Sequence, residues 1–295
     1  MSFTLCCRGH LVTFDRPALM GILNVTPDSF YDGGRYQTEE QIITQAKNLI
    51  SQGADIIDIG VVSSRPGAQL LPPDEEAAKL APVVRLLRQE LGPEALLSVD
   101  TCYSLPASKA VEAGADIIND ISGGQFDAEM FPTVASLQVP YILMHTKGTP
   151  ATMQLPENTQ YNDIIGDLAL YFSQKIDSLL RLGVKDIIID PGFGFAKTVD
   201  QNHELLNRLN ELVDLFPERP LLAALSNKSM ISKRLTGLPT AKCQWSQVPI
   251  APTELGTLAL NAIALDRGAQ LLRVHTPYPS RIAIEIRGNA NTLKC

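Results

Sequence analysis

The amino-acid sequence predicts an α/β fold, a single (β/α)8 or TIM barrel, over its 295 residues. The first observation is an alternation of eight short apolar runs, rich in β-branched residues, with longer stretches whose apolar residues recur every three or four positions. The second is a repeated junction, Gly-Ala followed by Asp or Gln, before three of these runs. No linker or change of composition divides the chain. An open, doubly wound sheet is the alternative arrangement of the same units.

Each apolar run is interpreted as a parallel strand, because nearly continuous hydrophobicity is typical of strands buried on both faces. The clearest case is Ile187, Ile188 and Ile189. In chain order the predicted strands cover residues 19–24, 55–60, 96–100, 116–119, 140–145, 186–190, 221–226 and 270–275. Residues 1–18 come before them and are interpreted as an N-terminal extension of one domain, residues 1–295.

Helical spacing between the strands is clearest over residues 39–51, 75–91 and 161–182. Three helix-to-strand junctions begin with glycine, which we expect to end the helix in the left-handed conformation. These glycines are Gly53, Gly114 and Gly268.

The last helix is predicted to be short, covering about residues 280–287. Pro277 and Pro279 precede this segment and Gly288 follows it, and both residue types disfavour the interior of a helix.

Composition excludes several classes of protein. The net charge of −7 is unfavourable for binding a phosphate backbone, so no nucleic-acid partner is expected. No apolar run reaches the ~18 residues of a membrane span, and the first residues lack the apolar core of a signal peptide. We therefore expect a cytoplasmic protein without membrane contact. The five cysteines contain no CxxC pair and indicate neither a disulfide framework nor a zinc site.

Polar residues stand at the carboxyl ends of the predicted strands, where a (β/α)8 barrel gathers its reactive groups. Taken singly, the aspartates could cap the helices that follow, the asparagines could satisfy loop backbone, and the arginine of the last strand could pair with an aspartate. Capping gives no reason for all of them to face one cavity, so together they predict a binding site. The residues are Asn24, Asp100, Asn119, Asp190, Arg273 and His275, with Arg65 and Lys228 just after two further strands.

Three loops beyond these strand ends carry a second signal. Residues 24–35 form a polar loop that is longer than the usual two to six residues of such a connection. Residues 63–68 contain hydroxyls and a guanidinium, which suit phosphate oxygens. Residues 190–195 combine a carboxylate with glycines and phenylalanines, which allow a flat ring to approach closely and to stack.

In their order and spacing, seven blocks of this sequence resemble the dihydropteroate synthase family. The blocks are MGILNVTPDSFYDGG, SSRPGA, SVDT, AGADIINDISGG, LMH with GTPATMQ, DPGFGF and LSNKS, and they extend from about residue 19 to about residue 275. The resemblance implies an enzyme of folate biosynthesis. It would condense 4-aminobenzoate with 6-hydroxymethyl-7,8-dihydropterin diphosphate, giving dihydropteroate and pyrophosphate.

The resemblance also implies which residues bind the substrates. The carboxylates and amide at the strand ends would hold the pterin edge, and Lys228 would bond its carbonyl and a ring nitrogen. Ser229 would meet the carboxylate of 4-aminobenzoate. The implied substrate-binding residues are Ser64, Asp100, Asn119, Met144, Asp190, Phe195, Lys228, Ser229, Arg273 and His275, and the implied catalytic residues are Arg65, Lys228, Arg273 and His275.

A metal and a second subunit are further implications of the resemblance. Mg²⁺ is the expected cofactor, and Asn24 would contact the Mg²⁺-bound diphosphate, since an amide oxygen is a suitable hard ligand. The first two loops would close over the site when metal and pyrophosphate are present. A homodimer formed through the last helices is also expected.

Five positions depart from the family pattern, and one of them is Ser64 in place of a threonine, which keeps the hydroxyl. Val62 stands in place of a glutamate, Asn227 in place of an arginine, and Thr276 in place of an aspartate that could orient His275. Ala224 replaces a glycine beside the pterin. These departures leave open a non-catalytic or weakly active pterin-binding paralogue. A folate-dependent methyltransferase would share the pterin pocket, but the SSRPGA block and the long first loop argue against it.

Overall fold

The computed structural model describes residues 2–25, 39–62, 67–235 and 251–292. Its ten strands are β1 (Phe3–Cys7), β2 (His10–Phe14), β3 (Ala18–Asn24), β4 (Ile56–Gly60), β5 (Leu96–Asp100), β6 (Ile117–Asp120), β7 (Tyr141–Met144), β8 (Ile187–Asp190), β9 (Leu222–Ala223) and β10 (Leu271–Val274). The last eight form one parallel sheet in the order β8-β7-β6-β5-β4-β3-β10-β9. A parallel bridge between Ile189 and Leu221 joins its two edges. The sheet is therefore a closed barrel, as predicted, and not the open doubly wound alternative.

Helices surround the barrel. They are α1 (Glu39–Ser51), α2 (Pro73–Leu91), α3 (Ser104–Ala113), α4 (Met130–Leu137), α5 (Ile164–Arg181), α6 (Val199–Asn207), α7 (Leu209–Leu215), α8 (Ser229–Leu235), α9 (Pro252–Asp266) and α10 (Pro277–Thr292), with a short 3₁₀ helix at Pro156–Thr159. In the part of the chain that the structure describes, no helix is long and apolar enough to cross a membrane.

The prediction of a short last helix was wrong. α10 extends from Pro277 to Thr292 and contains both prolines and Gly288. Pro277 and Pro279 lie in the first turn, where a backbone N–H has no partner within the helix, so proline costs little there. Gly288 lowers helix propensity by only about 1 kcal/mol, which the packing of an apolar face outweighs.

The repeated Gly-Ala-Asp junction performs two functions. Its glycine is left-handed, with φ of +96° at Gly53 and +117° at Gly114, which confirms the expected helix ends. Its aspartate then accepts a hydrogen bond from the backbone of the neighbouring strand: Asp55 from the Leu19 N–H at 2.8 Å, and Asp116 from the Leu97 N–H at 2.7 Å. Helix end and strand register are thus specified by three consecutive residues.

Side chains alternate between the outside of the barrel and its lumen, with the period of two that strands impose. Outward residues such as Leu97 and Val99 pack against the helices in the main core. Inward residues in the lower half of the lumen, among them Met20, Ile56 and Leu271, form a separate apolar cluster. Continuing the same alternation upward brings the polar strand ends into the lumen at its carboxyl end.

An N-terminal hairpin closes the lower end of the barrel. β1 and β2 pair antiparallel, and Phe3 stacks on Phe14 with ring centroids 4.7 Å apart. Both rings, together with the buried Leu5 and Cys7, belong to the apolar cluster of the lower lumen. Residues 1–18 were interpreted only as an extension, and the structure shows that part of this segment completes the core.

We expect Leu5→Ala to lower the free energy of unfolding by about 3 kcal/mol, since it removes a side chain that is 1% exposed and leaves a cavity. Urea unfolding measures this loss. Leu11 lies on the same hairpin but is 77% exposed, so Leu11→Ala is the matched control and should change stability little. Equal losses in the two variants would show that the hairpin does not pack against the barrel.

Candidate active site

The carboxyl end of the barrel brings together side chains from strands that are far apart in sequence. Asn24, Asp100, Asn119, Asp190 and Arg273 all lie on the inward-facing alternation of their strands. Their neighbours along each strand face the helices instead. One polar cavity therefore forms above the apolar lower lumen.

Arg273 lies between two carboxylates in this cavity. Its Nη2 donates to Asp100 Oδ2 at 2.7 Å, and its Nε donates to Asp58 Oδ2 at 2.6 Å. The same Asp58 oxygen accepts from the Asn119 amide nitrogen at 3.0 Å. Asp58 therefore links an arginine and an asparagine that the sequence analysis placed in the site separately.

Asp58 itself was missed by the sequence analysis. It lies in the middle of β4 and not at its end, and its side chain is fully buried. The signal was a carboxylate inside an apolar run, at an inward position of a strand whose other residues are three isoleucines and a glycine. Within the part of the chain that the structure describes, its second oxygen, Oδ1, has no hydrogen-bond partner. A buried carboxylate of this kind is costly unless a cation compensates it, and Arg273 is that cation.

The charges in this cluster shift the pKa of Asp100. Burial raises the pKa to about 7, the positive charge of Arg273 opposes the shift, and the negative charges of Asp58 and Asp120 add to it. The pKa of the Arg273 guanidinium rises further above its usual range because of the two carboxylates it contacts. Arg273 therefore remains charged at every pH at which the protein is folded.

Asp190 begins a tight turn that carries Phe195. The Gly192 N–H donates to Asp190 Oδ1 at 2.8 Å, and burial raises the pKa of this carboxyl. Gly192 has a φ of +71°, and a side chain at this position would clash with the carbonyl oxygen of His145. The turn therefore requires glycine at position 192.

Lys228 reaches the same turn from the segment after β9, the strand that lies next to β8 where the barrel closes. Its Nζ lies 4.4 Å from the centre of the Phe195 ring, a cation–π contact. A side chain on Gly194 would come within 3.0 Å of the Lys228 chain, so glycine there makes room for the lysine. Burial lowers the pKa of Lys228 to about 8, although the charge of Asp190 opposes the shift.

An apolar wall borders the polar cavity. Its members are Cys102, Ile121, Met144, Met153, Phe195 and Ala196. Met144 and Phe195 are two of the substrate-binding residues that the resemblance implies, and the structure places both in this wall. A ring against it would have apolar contact on its face and the strand-end polar groups at its edge.

His275 has a partner that the sequence analysis did not identify. Its Nδ1 lies 2.9 Å from the Ser226 hydroxyl, and its backbone N–H donates to the same oxygen at 3.2 Å. Thr276 was expected to leave His275 without an orienting group. Ser226, on the segment after β9, supplies that contact from the strand next to β10. Ser229 is the first residue of α8 and is exposed.

Asn24 ends β3 beside Asp100. A carbon built as a side chain on Gly60 would lie 3.4 Å from Asn24 Oδ1 and 3.9 Å from Asp100 Oδ2, so the two oxygens converge over this glycine. Ser64, Arg65 and residues 26–35 of the first loop lie outside the described residues.

A Mg²⁺ ion suits this position by the chemistry of its donors. The described residues contain no cluster of three or more His, Cys, Asp or Glu that could enclose a metal. Mg²⁺ does not require such a cage, because it retains several waters and is commonly bound through one or two protein oxygens together with substrate phosphates. The amide oxygen of Asn24 fits that pattern, while Asp100 Oδ2 beside it already accepts from Arg273.

Comparison with known proteins agrees with this geometry. A family model described as pterin binding enzyme matches residues 20–275. A dihydropteroate synthase from Synechocystis is 43% identical over 262 residues, 88% of this chain and 85% of the relative. A solved Xanthomonas albilineans dihydropteroate synthase with 4-aminobenzoic acid has a TM-score of 0.85 at 34% identity, covering 99% of this chain and all of that one.

A second Xanthomonas albilineans structure, in complex with 7,8-dihydropteroate, has a TM-score of 0.81 at 32% identity, covering 99% of this chain and 100% of that one. The family match covers the barrel from β3 to the end of β10 and so includes every strand that contributes to the cavity. The chain therefore belongs to the pterin-binding enzyme family.

Proposed function

We propose that this protein is a dihydropteroate synthase, which joins 4-aminobenzoate to a dihydropterin methylene and releases pyrophosphate. The observation that carries the proposal is the network at the barrel mouth, in which Asp58 joins Asn119 to Arg273 and Arg273 joins Asp100. This network lies beside an apolar wall that suits a flat ring. The relatives with this name support it.

The pterin ring would lie with its face on Phe195 and Met144 and its edge toward the carboxylates. A 2-amino group and ring N–H groups need acceptors, which Asp190 and Asn119 supply. The amide nitrogen of Asn119 is turned to Asp58, so its amide oxygen points away from Asp58 and suits a substrate N–H. Lys228 would donate to the pterin carbonyl and a ring nitrogen.

The diphosphate would be held at the opposite side of the cavity by Arg65, Ser64, Arg273 and His275. Asn24 would hold Mg²⁺, and the metal when bound would supply charge neutralisation for the departing pyrophosphate. Because the whole chain has a net charge of −7, binding the negatively charged diphosphate requires a local cluster of cations at this mouth. Ser229 would face the carboxylate of 4-aminobenzoate.

The reaction we propose needs no side-chain nucleophile. The bond between the exocyclic methylene and the diphosphate oxygen breaks first, and its electron pair leaves with pyrophosphate. The positive charge that remains is spread over the pterin ring, beside the carboxylates of Asp100 and Asp190. The amine nitrogen of 4-aminobenzoate then bonds to the methylene and loses one proton, giving dihydropteroate.

Incubation of the protein with both substrates and Mg²⁺ tests this proposal by the appearance of dihydropteroate and pyrophosphate. We expect both products in equal amounts. Tight binding of the pterin in calorimetry without any product would establish the binding-only alternative instead. Absence of both binding and product, under conditions in which a known dihydropteroate synthase works, would refute both.

The pH dependence of pterin binding provides a separate prediction. Lys228 is protonated below its pKa of about 8, and the ammonium form makes the stronger, charge-assisted hydrogen bond to a pterin carbonyl. Affinity should therefore fall as pH rises through about 8. Calorimetry with 6-hydroxymethylpterin from about pH 6 to 9 measures this. Lys228→Met should bind pterin more weakly, and its affinity should no longer fall as pH rises through about 8. If the affinity of this variant still falls in the same way, a group other than Lys228 causes the pH dependence.

A homodimer is also part of the proposal. α10 presents Tyr278, Ile282 and Ile286 at successive helical turns, and they are 61%, 41% and 65% exposed. Exposed apolar residues on one helix face are typical of a protein interface.

We expect light scattering to give a molar mass of twice 32.1 kDa. Ile286→Glu should shift it toward one chain, since burying a charge in an apolar interface is costly. The control Leu180→Glu changes a similarly exposed leucine on α5 and should leave the mass unchanged. A dimer that tolerates Ile286→Glu would exclude this face of α10 as the dimer interface.

The proposed domain organisation is one barrel domain per chain, with its lower end closed by the hairpin.

A further inference from the structure

Lys197 is a buried lysine beneath the Asp190–Phe195 turn, and the proposed chemistry does not use it. The residue is 2% exposed. Its ammonium group contacts three acceptors, each at 3.1 Å: Nδ1 of His145, the carbonyl oxygen of Gly192 and the carbonyl oxygen of Phe195. An ammonium has three N–H donors, so every donor has a partner. Burial lowers the pKa of Lys197 to about 7, and the charge of Asp190 and this complete pairing offset part of the cost of burying the charged form.

The histidine partner is suited to accept. Burial and the nearby charge of Lys197 hold the pKa of His145 well below its usual range, so the imidazole is neutral. His145 directly follows β7, while Lys197 follows the turn after β8. The pair therefore ties the turn to a neighbouring strand of the barrel.

The two carbonyl contacts fix the turn at both ends. Gly192 also donates its N–H to Asp190, and Phe195 forms part of the apolar wall. Between them, the Gly194 N–H donates to Asn202 Oδ1 at 2.7 Å, which holds the middle of the turn. Ala196, just after it, has a φ of +50°, a left-handed conformation that is unfavourable for alanine. The turn is thus a strained conformation that requires outside contacts to persist.

We propose that Lys197 is a positioning residue of the pterin site. Its ammonium, anchored on His145, holds the Gly192 and Phe195 carbonyls so that Asp190 and Phe195 face the ring together. The inference rests on the proposed function for the identity of the ligand. It adds a residue that touches no substrate and acts through the turn.

The expected loss of pterin affinity depends on the fraction of molecules in which the turn has the binding conformation. If only about one-tenth of molecules hold the turn in the binding conformation, the apparent dissociation constant rises about tenfold. The other substrate does not contact this turn in the proposed arrangement. Loss of Lys197 should therefore weaken pterin binding without altering the interaction with 4-aminobenzoate.

Lys197→Met tests this, because methionine fills the lysine volume and donates nothing. The dissociation constant for 6-hydroxymethylpterin, measured by calorimetry, should rise about tenfold or more. The KM for the pterin diphosphate should rise in parallel, while the KM for 4-aminobenzoate stays within about twofold. Lys147→Met is the matched control, since Lys147 is a partly exposed lysine that donates to Gln160 at the same rim, and it should bind pterin as the wild type does.

His145→Gln provides a second variant should Lys197→Met fail to fold. It removes the aromatic anchor and leaves the lysine, and we expect a smaller loss of pterin affinity in the same direction. Pterin binding within about twofold of wild type in either folded variant would overturn the inference. Equal increases in both KM values would overturn it as well, since they indicate a general structural defect. Absence of turnover in the wild type would instead refute the proposed function. The calorimetric comparison of wild type and variants would still test the role of Lys197 in pterin binding.

Discussion

Replacing Arg273 by methionine is expected to lower the free energy of unfolding by about 3–5 kcal/mol near neutral pH and to remove activity. Arg273 is the cation between Asp58 and Asp100, whose side chains are 0% and 11% exposed. Without it, two buried carboxylates face each other with no compensating charge. The loss of diphosphate binding adds a separate effect on catalysis.

The stability loss should depend on pH with a definite sign. Carboxyls whose pKa is raised in the folded state bind more protons there than in the unfolded chain, so stability falls as pH rises from about 4 toward the folded pKa. Asp100 already has a raised pKa of about 7 in the presence of Arg273. Removing the guanidinium raises it further. The loss of unfolding free energy in Arg273→Met, relative to the wild type, should therefore be largest above about pH 7 and become smaller toward about pH 5.

Urea unfolding of wild type and variant across this pH range measures the deficit. Arg208→Met is the control, since Arg208 forms its ion pairs with Glu211 and Asp163 at the surface and should matter little. A deficit that is small, or that grows toward acid pH, would contradict the assignment of Arg273 as the charge that compensates Asp58 and Asp100.

Replacing Asp190 by asparagine is expected to lower kcat/KM for the pterin substrate by about 100-fold or more, with little loss of stability. A carboxylate that accepts from two N–H groups of a pterin edge provides charge-assisted bonds worth about 1.5–3 kcal/mol each. Asparagine keeps one acceptor and replaces the other by an N–H that opposes the ligand. The folded protein should tolerate the change, because burial disfavours the charge that it removes.

Steady-state kinetics and thermal unfolding measure the two effects separately. Asp200→Asn is the control, a side chain that is 86% exposed on α6, near the same turn in sequence. We expect it to retain wild-type kinetics. If Asp190→Asn retained activity within about threefold, the carboxylate would have no direct role in binding pterin.

The barrel and the placement of the strand-end residues could be predicted because both depend on local patterns. Near-continuous apolar runs such as Ile187–Ile189 indicate parallel strands, and a strand end fixes where a residue such as Asp190 lies along the barrel axis. The carboxyl ends of all parallel strands meet at one end of a closed barrel. Convergence of Asp100, Asn119 and Asp190 therefore followed from topology alone.

The contacts that organise the site could not be predicted in this way. Asp58 and Arg273 are 215 positions apart, and their 2.6 Å contact exists only because β10 and β4 both flank β3 in the closed sheet. Ser226 and His275 likewise meet across the β9–β10 pair. Lys197 is two residues beyond the DPGFGF block, and nothing in its sequence position indicates that it is buried beneath the turn.

The departures from the family pattern are also clearer in the structure. Asn227 has a φ of +55°, a conformation that asparagine tolerates better than most residues, and its N–H donates to Thr257. Ala224 packs in the apolar cluster of the lower lumen. Thr276 replaces an aspartate that could orient His275, and Ser226 provides a contact to His275 in its place. These positions have local structural roles that do not require loss of the pterin site.

A crystal structure with bound 6-hydroxymethylpterin is the most direct test of the central claim, that the carboxyl end of this barrel binds a pterin by its edge. The account predicts the ring against Phe195 and Met144, with its 2-amino group and a ring nitrogen within about 3.2 Å of the Asp190 carboxylate or the Asn119 amide oxygen. A pterin bound outside the barrel mouth, or one in the mouth that contacts neither of these groups, would contradict it.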